Sequence, residues 1–289
     1  LSATARLKQA ERGASVRIGT YILLAATKLI VGELFNSEAI FADGWNNFTD
    51  VISSVLVLVG LRVSQKPSDE NHPYGHWKFE TIASLATSFI MLFIGIEVVR
   101  NAFQAFLNPV MEAPSLISSI VGFFSGVIMI GVYFYNKNLA VRIQSLGLKA
   151  TAKDNLSDAM TSFLTALAVL FASLGLHWLD NIMAFVVGLL IVRTAVEVFN
   201  ESAFQLTDGF DQTELDKYIP VILRHPEVKD ICEIKARRYG SNVYIDLTVC
   251  MDKDLSVYKS HQITEYIEKE LYDEFAISFI DIHVEPYQF

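Results

Sequence analysis

The fold class predicted for this chain is a membrane α-helical protein with six transmembrane helices and a C-terminal α/β domain, on three observations. Apolar residues make up 52% of 289, and the mean hydropathy is +0.36, too apolar for a soluble protein of this length. Apolar blocks of roughly 20 residues each fill the first ~200 positions, and that length crosses a hydrocarbon core about 30 Å thick. From residue 209 the character changes, with 16 acidic against 9 basic side chains and a net charge of −7. Such a domain suits cations and repels nucleic acid and anionic lipid. The boundaries that follow are 1–15 for an N-terminal arm, 16–208 for the membrane domain and 209–289 for the C-terminal domain.

Taken in order, the arm carries Arg6, Lys8 and Arg12, and the first span covers 16–35. Its length, and the further spans behind it, argue against a cleavable signal peptide. After Asn36 and Ser37 the second span covers 39–63 and stops at Lys66-Pro67, where proline cannot continue a helix. A polar loop, 68–76, leads to the third span at 79–106. Pro109 and Pro114 bracket the next turn, and the remaining spans fall at 116–135, 146–174 and 182–199.

Lysine and arginine accumulate in cytoplasmic loops. Here they sit in the arm and the start of span one (Arg6, Lys8, Arg12, Arg17), between spans two and three (Arg62, Lys66, Lys78) and between four and five (Lys137, Arg142, Lys149). Both termini are therefore expected in the cytoplasm. Lean loops without a histidine-rich insertion suggest the plasma membrane of a bacterium. Glu97 and Arg100, one turn apart, are expected to pair or to snorkel outward. Lys28, inside span one, is expected to meet Glu33 or to face a water-filled cavity.

In the C-terminal domain, residues 211–224 suit a helix and 231–238 a strand. Val243, Ile245, Leu247, Val249 and Met251 alternate with polar neighbours, as a half-buried strand does. Val257, Ile263, Tyr266, Ile267 and Leu271 recur at helical spacing, and Ile280, Ile282 and Val284 alternate again. Helix, strand, strand, helix, strand predicts a three-stranded α/β sandwich. Cys232 and Cys250 lie in this domain and, in a reducing cytosol, are expected as free thiols.

The chemistry is concentrated in span two, where Asp43, Asn46, Asn47, Thr49 and Asp50 interrupt the apolar run, and in span five at Asp154 and Asp158. Residues four apart share a helix face, so Asn46 joins Asp50 and Asp154 joins Asp158. Two such faces make a four-oxygen cage, and a carboxylate in hydrocarbon, costing on the order of 3 kcal/mol, marks an ion pathway by default. An oxygen-only cage without histidine favours manganese as substrate, with zinc, cadmium, iron and cobalt left open. Asp43, seven residues before Asp50 on nearly the same line, is a candidate outer-shell ligand or exit relay, with Asn47 beside it. The alternative is that these groups only hydrogen-bond between helices. Asp69, His72 and His76 in the polar loop are compatible with a metal, or with a turn whose imidazoles cap a helix. There is no nucleotide loop and no nucleophile beside a base, so an enzyme is not expected. A membrane metal sensor and a cation channel are the rival classes.

Together these residues resemble the cation diffusion facilitator family of divalent-metal transporters, and the resemblance covers almost the whole chain. Its paired positions on spans two and five read Asn46-xxx-Asp50 and Asp154-xxx-Asp158, its loop signature Asp69-x-x-His72-Pro-Tyr-Gly-His76-x-Lys78, and its last strand His283-Val-Glu285-Pro. The resemblance implies a homodimer that exports divalent cations against protons by alternating access. It also implies a metallochaperone-like, ferredoxin-like cytoplasmic domain, and no resident cofactor. It makes Asp69, His72 and His76 a second metal site, Lys78 and Asp208 a charged pair at the domain junction, and His261, His283 and Glu285 ligands of a regulatory site. Cys232 and Thr248 replace histidines of the zinc-type members there, which leaves Cys232 a weak ligand and a full two-metal site doubtful.

Overall fold

A computed structural model describes residues 3–107, 114–143, 146–240, 242–277 and 279–287, with side chains described from Ser15 onward except for 143–150. Pro109, and the side chains of Arg6, Lys8, Arg12 and Lys149, fall outside that description. The chain clusters into two compact units, Leu1–Leu56 with Ala86–Glu197, and Val57–Leu85 with Val198–Phe289.

The described residues form six long helices: α1 (Ala3–Leu34), α2 (Glu38–Ser64), α3 (Lys78–Leu107), α4 (Leu116–Ile143), α5 (Leu146–Ser173) and α6 (Trp178–Leu206). All six are long and apolar enough to cross a membrane. Between 28% and 39% of each apolar window is buried, so most of that surface, including Leu23, Phe93 and Phe124, faces outward. Hydrocarbon tolerates such a surface and a helix satisfies its own backbone there. Three helices outrun their apolar blocks: α1 reaches back to Ala3, α4 runs on to Ile143 and α6 starts at Trp178 and continues to Leu206. Polar residues end a hydropathy block without breaking the backbone ladder.

Between α1 and α2, Asn36 turns the chain with φ 53°, and the Ser37 amide donates back to the Gly32 carbonyl at 2.9 Å, a helix-ending pattern. Asp180 then caps α2, accepting from the Ser37 hydroxyl at 2.8 Å and the Glu38 amide at 2.7 Å. Within this unit α4 packs along α5, and α1 along α4. Tyr21, Leu24, Met129 and Ala159 form a buried cluster between them.

The second unit contains α7 (Gln212–Leu215), α8 (Ile219–Ile222), β1 (Val228–Tyr239), β2 (Asn242–Met251), α9 (Val257–Phe275) and β3 (Phe279–Pro286). The single helix expected over 211–224 is therefore two short ones. Asp211 caps α7 by accepting from the Thr213 amide, and Pro220 sits in the first turn of α8, where its missing amide hydrogen costs nothing. The sheet order is β1-β2-β3. β1 and β2 pair antiparallel around Gly240, which has φ 62°, and β3 lies parallel to β2 after the α9 crossover. Ile245, Leu247, Val249 and Met251 of β2 pack on Ile263, Ile267 and Leu271 of α9, with Leu215, Tyr218 and Ile222 completing the core. Val257 and Tyr266 match the helical period yet point outward.

Candidate metal-transport site

α2 and α5 deliver the quartet from their one-turn spacing. Asn46, Asp50 and Asp158 are half-buried and Asp154 is exposed. The charges of Asp154 and Asp158 both act on Asp50, so three carboxylates share one electrostatic neighbourhood. Asp50 Oδ2 is buried with no hydrogen-bond partner among the described residues, and a buried carboxylate oxygen of that kind calls for a cation or a proton. Among the described residues the quartet's carboxylates do not close within 4.8 Å of one another; the trios that do are Asp69, His72, His76 and Cys232, Cys250, Glu285.

A residue that spacing did not single out also meets the quartet. The Tyr21 hydroxyl, on α1, lies 2.5 Å from Asp158 Oδ2 and 3.0 Å from Asn155 Oδ1, and Tyr21 is buried. A phenol with its single proton donates to one acceptor at a time, and it fills a lone-pair position on Asp158 that an ion would use. Arg17, one turn earlier, lies over the Tyr21 ring at 5.1 Å, and its charge reaches Asp50, Asp154 and Asp158. An arginine assigned to orientation alone therefore also faces the site.

Among the described residues Lys28 does not pair with Glu33. It is fully buried and pairs with Asp43 Oδ2 at 2.7 Å, because Asp43 is the carboxylate that α2 turns toward α1 at that level. Asn47 Oδ1 accepts from the same ammonium at 2.7 Å. Asp43 and Asn47 are thus engaged by a lysine on a neighbouring helix. Glu97 and Arg100 pair within one turn of α3, as expected.

In the loop, Asp69 Oδ1 lies 3.0 Å from His72 Nδ1 and Asp69 Oδ2 lies 3.5 Å from His76 Nε2. The bonded His72 imidazole holds the Asp69 carboxyl below its usual range. His76 Nδ1 is 3.2 Å from the Pro67 carbonyl. A carbonyl only accepts, so Nδ1 carries a proton there and Nε2 is the ring nitrogen turned toward Asp69. Lys78 Nζ lies 3.1 Å from Asp208 Oδ1 and 4.5 Å from the Tyr239 ring centre, so the junction pair is formed.

The C-terminal candidates are only partly joined. His283 Nε2 is 3.7 Å from Glu285 Oε1, whereas His261 Nε2 turns to Glu265 on its own helix at 3.5 Å. His261 and Glu285 line one cleft of about 490 Å³ with Met251 and Thr264. The free-thiol expectation is corrected: Cys232 and Cys250 are joined as a disulfide with a Cα separation of 5.9 Å, within the range that permits a bridge. The β1–β2 hairpin brings them side by side across a register irregularity. As a disulfide, Cys232 offers no thiolate to a metal. Two cysteines on adjacent predicted strands, 18 residues apart, were the available signal.

Six described helices long and apolar enough to cross a membrane, with ionisable side chains set among them, define a multi-pass membrane protein. Residues 16–207 match the cation efflux transmembrane domain, and residues 210–287 the cytoplasmic domain of cation efflux proteins. The chain belongs to the cation efflux, or cation diffusion facilitator, family, which is a family of transporters. It is 46% identical to the manganese efflux system protein MneS of Bacillus subtilis over 97% of both chains. It is 41% identical to the uncharacterized transporter YdbO of the same organism, over 98% of both chains. It is 28% identical to that organism's manganese efflux system protein MneP, over 92% of both.

Proposed function

We propose that this chain exports manganese from the cytoplasm in exchange for protons, as a homodimer working by alternating access, with Asn46, Asp50, Asp154 and Asp158 as ligands of the transported ion. The observation that carries the reading is the donor set: one carboxamide and three carboxylates on α2 and α5, with no imidazole or thiolate among them. Hard oxygen donors suit manganese, and zinc prefers nitrogen and sulfur. The names of two relatives, at 46% and 28% identity, point the same way.

A carboxylate must lose its proton before it binds a metal, so ion and proton compete for the same oxygens. The Tyr21 hydroxyl leaves Asp158 as the ion enters, and returns when the ion departs. Residues 16–208 form the membrane domain, in the plasma membrane with both termini cytoplasmic. Residues 209–289 form a dimerising and regulatory domain, and Asp69, His72 and His76 a second metal site. The partners are a second copy of the chain, the lipid bilayer, protons and the ion; the reading invokes no nucleic acid, resident cofactor or catalysed reaction.

Proteoliposomes holding the full chain test this with manganese and zinc under an imposed pH gradient. Manganese flux is expected to exceed zinc flux and to stop when an ionophore collapses the gradient. Asn46→His, which supplies an imidazole, is expected to raise zinc flux relative to manganese by about fivefold or more. Equal native fluxes of the two ions contradict the manganese assignment, and flux indifferent to the gradient contradicts the proton exchange.

A further inference from the structure

The Lys28 ammonium donates to Asn47 Oδ1 at 2.7 Å and Ser162 Oγ at 2.8 Å, and forms an ion pair with Asp43 Oδ2 at 2.7 Å. Lys28, Asp43, Asn47 and Ser162 are all fully buried. Ser162 Oγ also lies 3.6 Å from Met129 Sδ, so one ammonium ties α1, α2 and α5 together beside α4. A lysine at membrane depth is strongly disfavoured unless it is paired in this way, and such residues mark functional positions.

Helix geometry sets this node beside the ion quartet. Asp43 and Asn47 share a face of α2 with Asn46 and Asp50, and Ser162 is one turn beyond Asp158 on α5. Two turns back along α1 from Lys28, Tyr21 reaches Asp158 and Asn155. α1 therefore meets the polar faces of its neighbours at two successive levels, with a phenol at one and an ammonium at the other. The charge of Lys28 also reaches Asp50 and Asp158. Without that charge Asp43 is a bare carboxylate two turns from Asp50, one more ligand in line with the quartet.

We propose that Lys28 is a charge-setting, positioning residue for the transported ion: by neutralising Asp43 it confines the ion to the quartet and keeps it weakly enough bound to leave. The proposal rests on the quartet being the ion site. It predicts opposite signs for two substitutions. Lys28→Met uncovers Asp43, and is expected to tighten manganese binding about tenfold while slowing manganese flux by a similar factor. Asp43→Asn leaves an unopposed ammonium beside the quartet, and is expected to weaken binding about tenfold. Lys28→Met/Asp43→Asn removes both charges and is expected to return binding and flux to within about threefold of native, because coupled residues are not additive.

Binding is measured on the purified full chain by the loss of the free manganese paramagnetic resonance signal, and flux in proteoliposomes. Binding that falls in Lys28→Met, or that is unchanged, overturns the proposal, as does a double variant that behaves like Lys28→Met. Should Lys28→Met fail to fold, Asp43→Asn and the double variant decide: weak binding restored by the second change supports the proposal, and weak binding that persists overturns it. If the native chain carries no manganese flux, the exporter reading fails while the two binding shifts still judge Lys28.

Discussion

Asp50→Ala is expected to abolish manganese flux, with the initial rate in proteoliposomes falling at least about a hundredfold, more than the ten- to hundredfold cost of losing an outer-shell partner. Asp50 stands where two helices bring charge together. It shares a face with Asn46 on α2, the charges of Asp154 and Asp158 on α5 act on it, and its Oδ2 is buried without a hydrogen-bond partner among the described residues. Alanine removes both oxygens and leaves Asn46 as the quartet's one remaining member on α2. The same change also removes a buried charge that needs compensation, so the fold need not suffer; elution and melting like the native chain are part of the expected result. Flux above about a third of native, from a protein that folds, would mean that the helix pair is structural.

Gly32→Val is expected to damage the membrane unit severely. A β-carbon at Gly32 would lie 2.6 Å from the Phe41 amide nitrogen and 2.8 Å from its Cα, inside the backbone of α2, where no rotamer change relieves the clash. Overpacking of this kind costs about 1–3 kcal/mol, and a larger side chain separates α1 from α2 just beyond the turn at Asn36. Gly19 supplies the control on the same helix, because nothing lies within 4 Å of its added β-carbon. Gly19→Ala is expected to be neutral or to stabilise by up to about 1 kcal/mol through helix propensity. Thermal unfolding in detergent should separate the two variants by several degrees. Equal melting temperatures would show that α1 and α2 do not approach as closely as the structure has them.

Much of the architecture was legible because membrane burial leaves a coarse, redundant pattern. Apolar blocks set the six helices, and alternation in 243–251 and 280–284 set β2 and β3. One-turn spacing put Asn46 with Asp50 and Asp154 with Asp158, since it depends only on a helix being present. What stayed hidden depends on which neighbour a side chain meets. Lys28 had two acidic candidates nearby, Glu33 along its own helix and Asp43 across the turn, and only the packing of α1 on α2 selects Asp43. Spacing does not single out Tyr21, yet its hydroxyl needs a partner when buried and Asp158 supplies one. The cysteine pairing was missed because compartment was weighed before strand register. The helix expected over 211–224 broke in two because Pro220 starts a new turn more readily than it continues one.

The competition of metal and protons for the quartet is tested most directly by counting protons released as the purified chain binds manganese. Titration in weakly buffered detergent solution near neutral pH, with a pH indicator, gives the ratio of protons to ions for the native protein and for Asp50→Asn. Metal must displace any proton held on a ligand carboxylate, so the native chain is expected to release protons in step with binding, and Asp50→Asn to bind weakly and release fewer. Manganese bound by both with identical proton release would contradict exchange at Asp50.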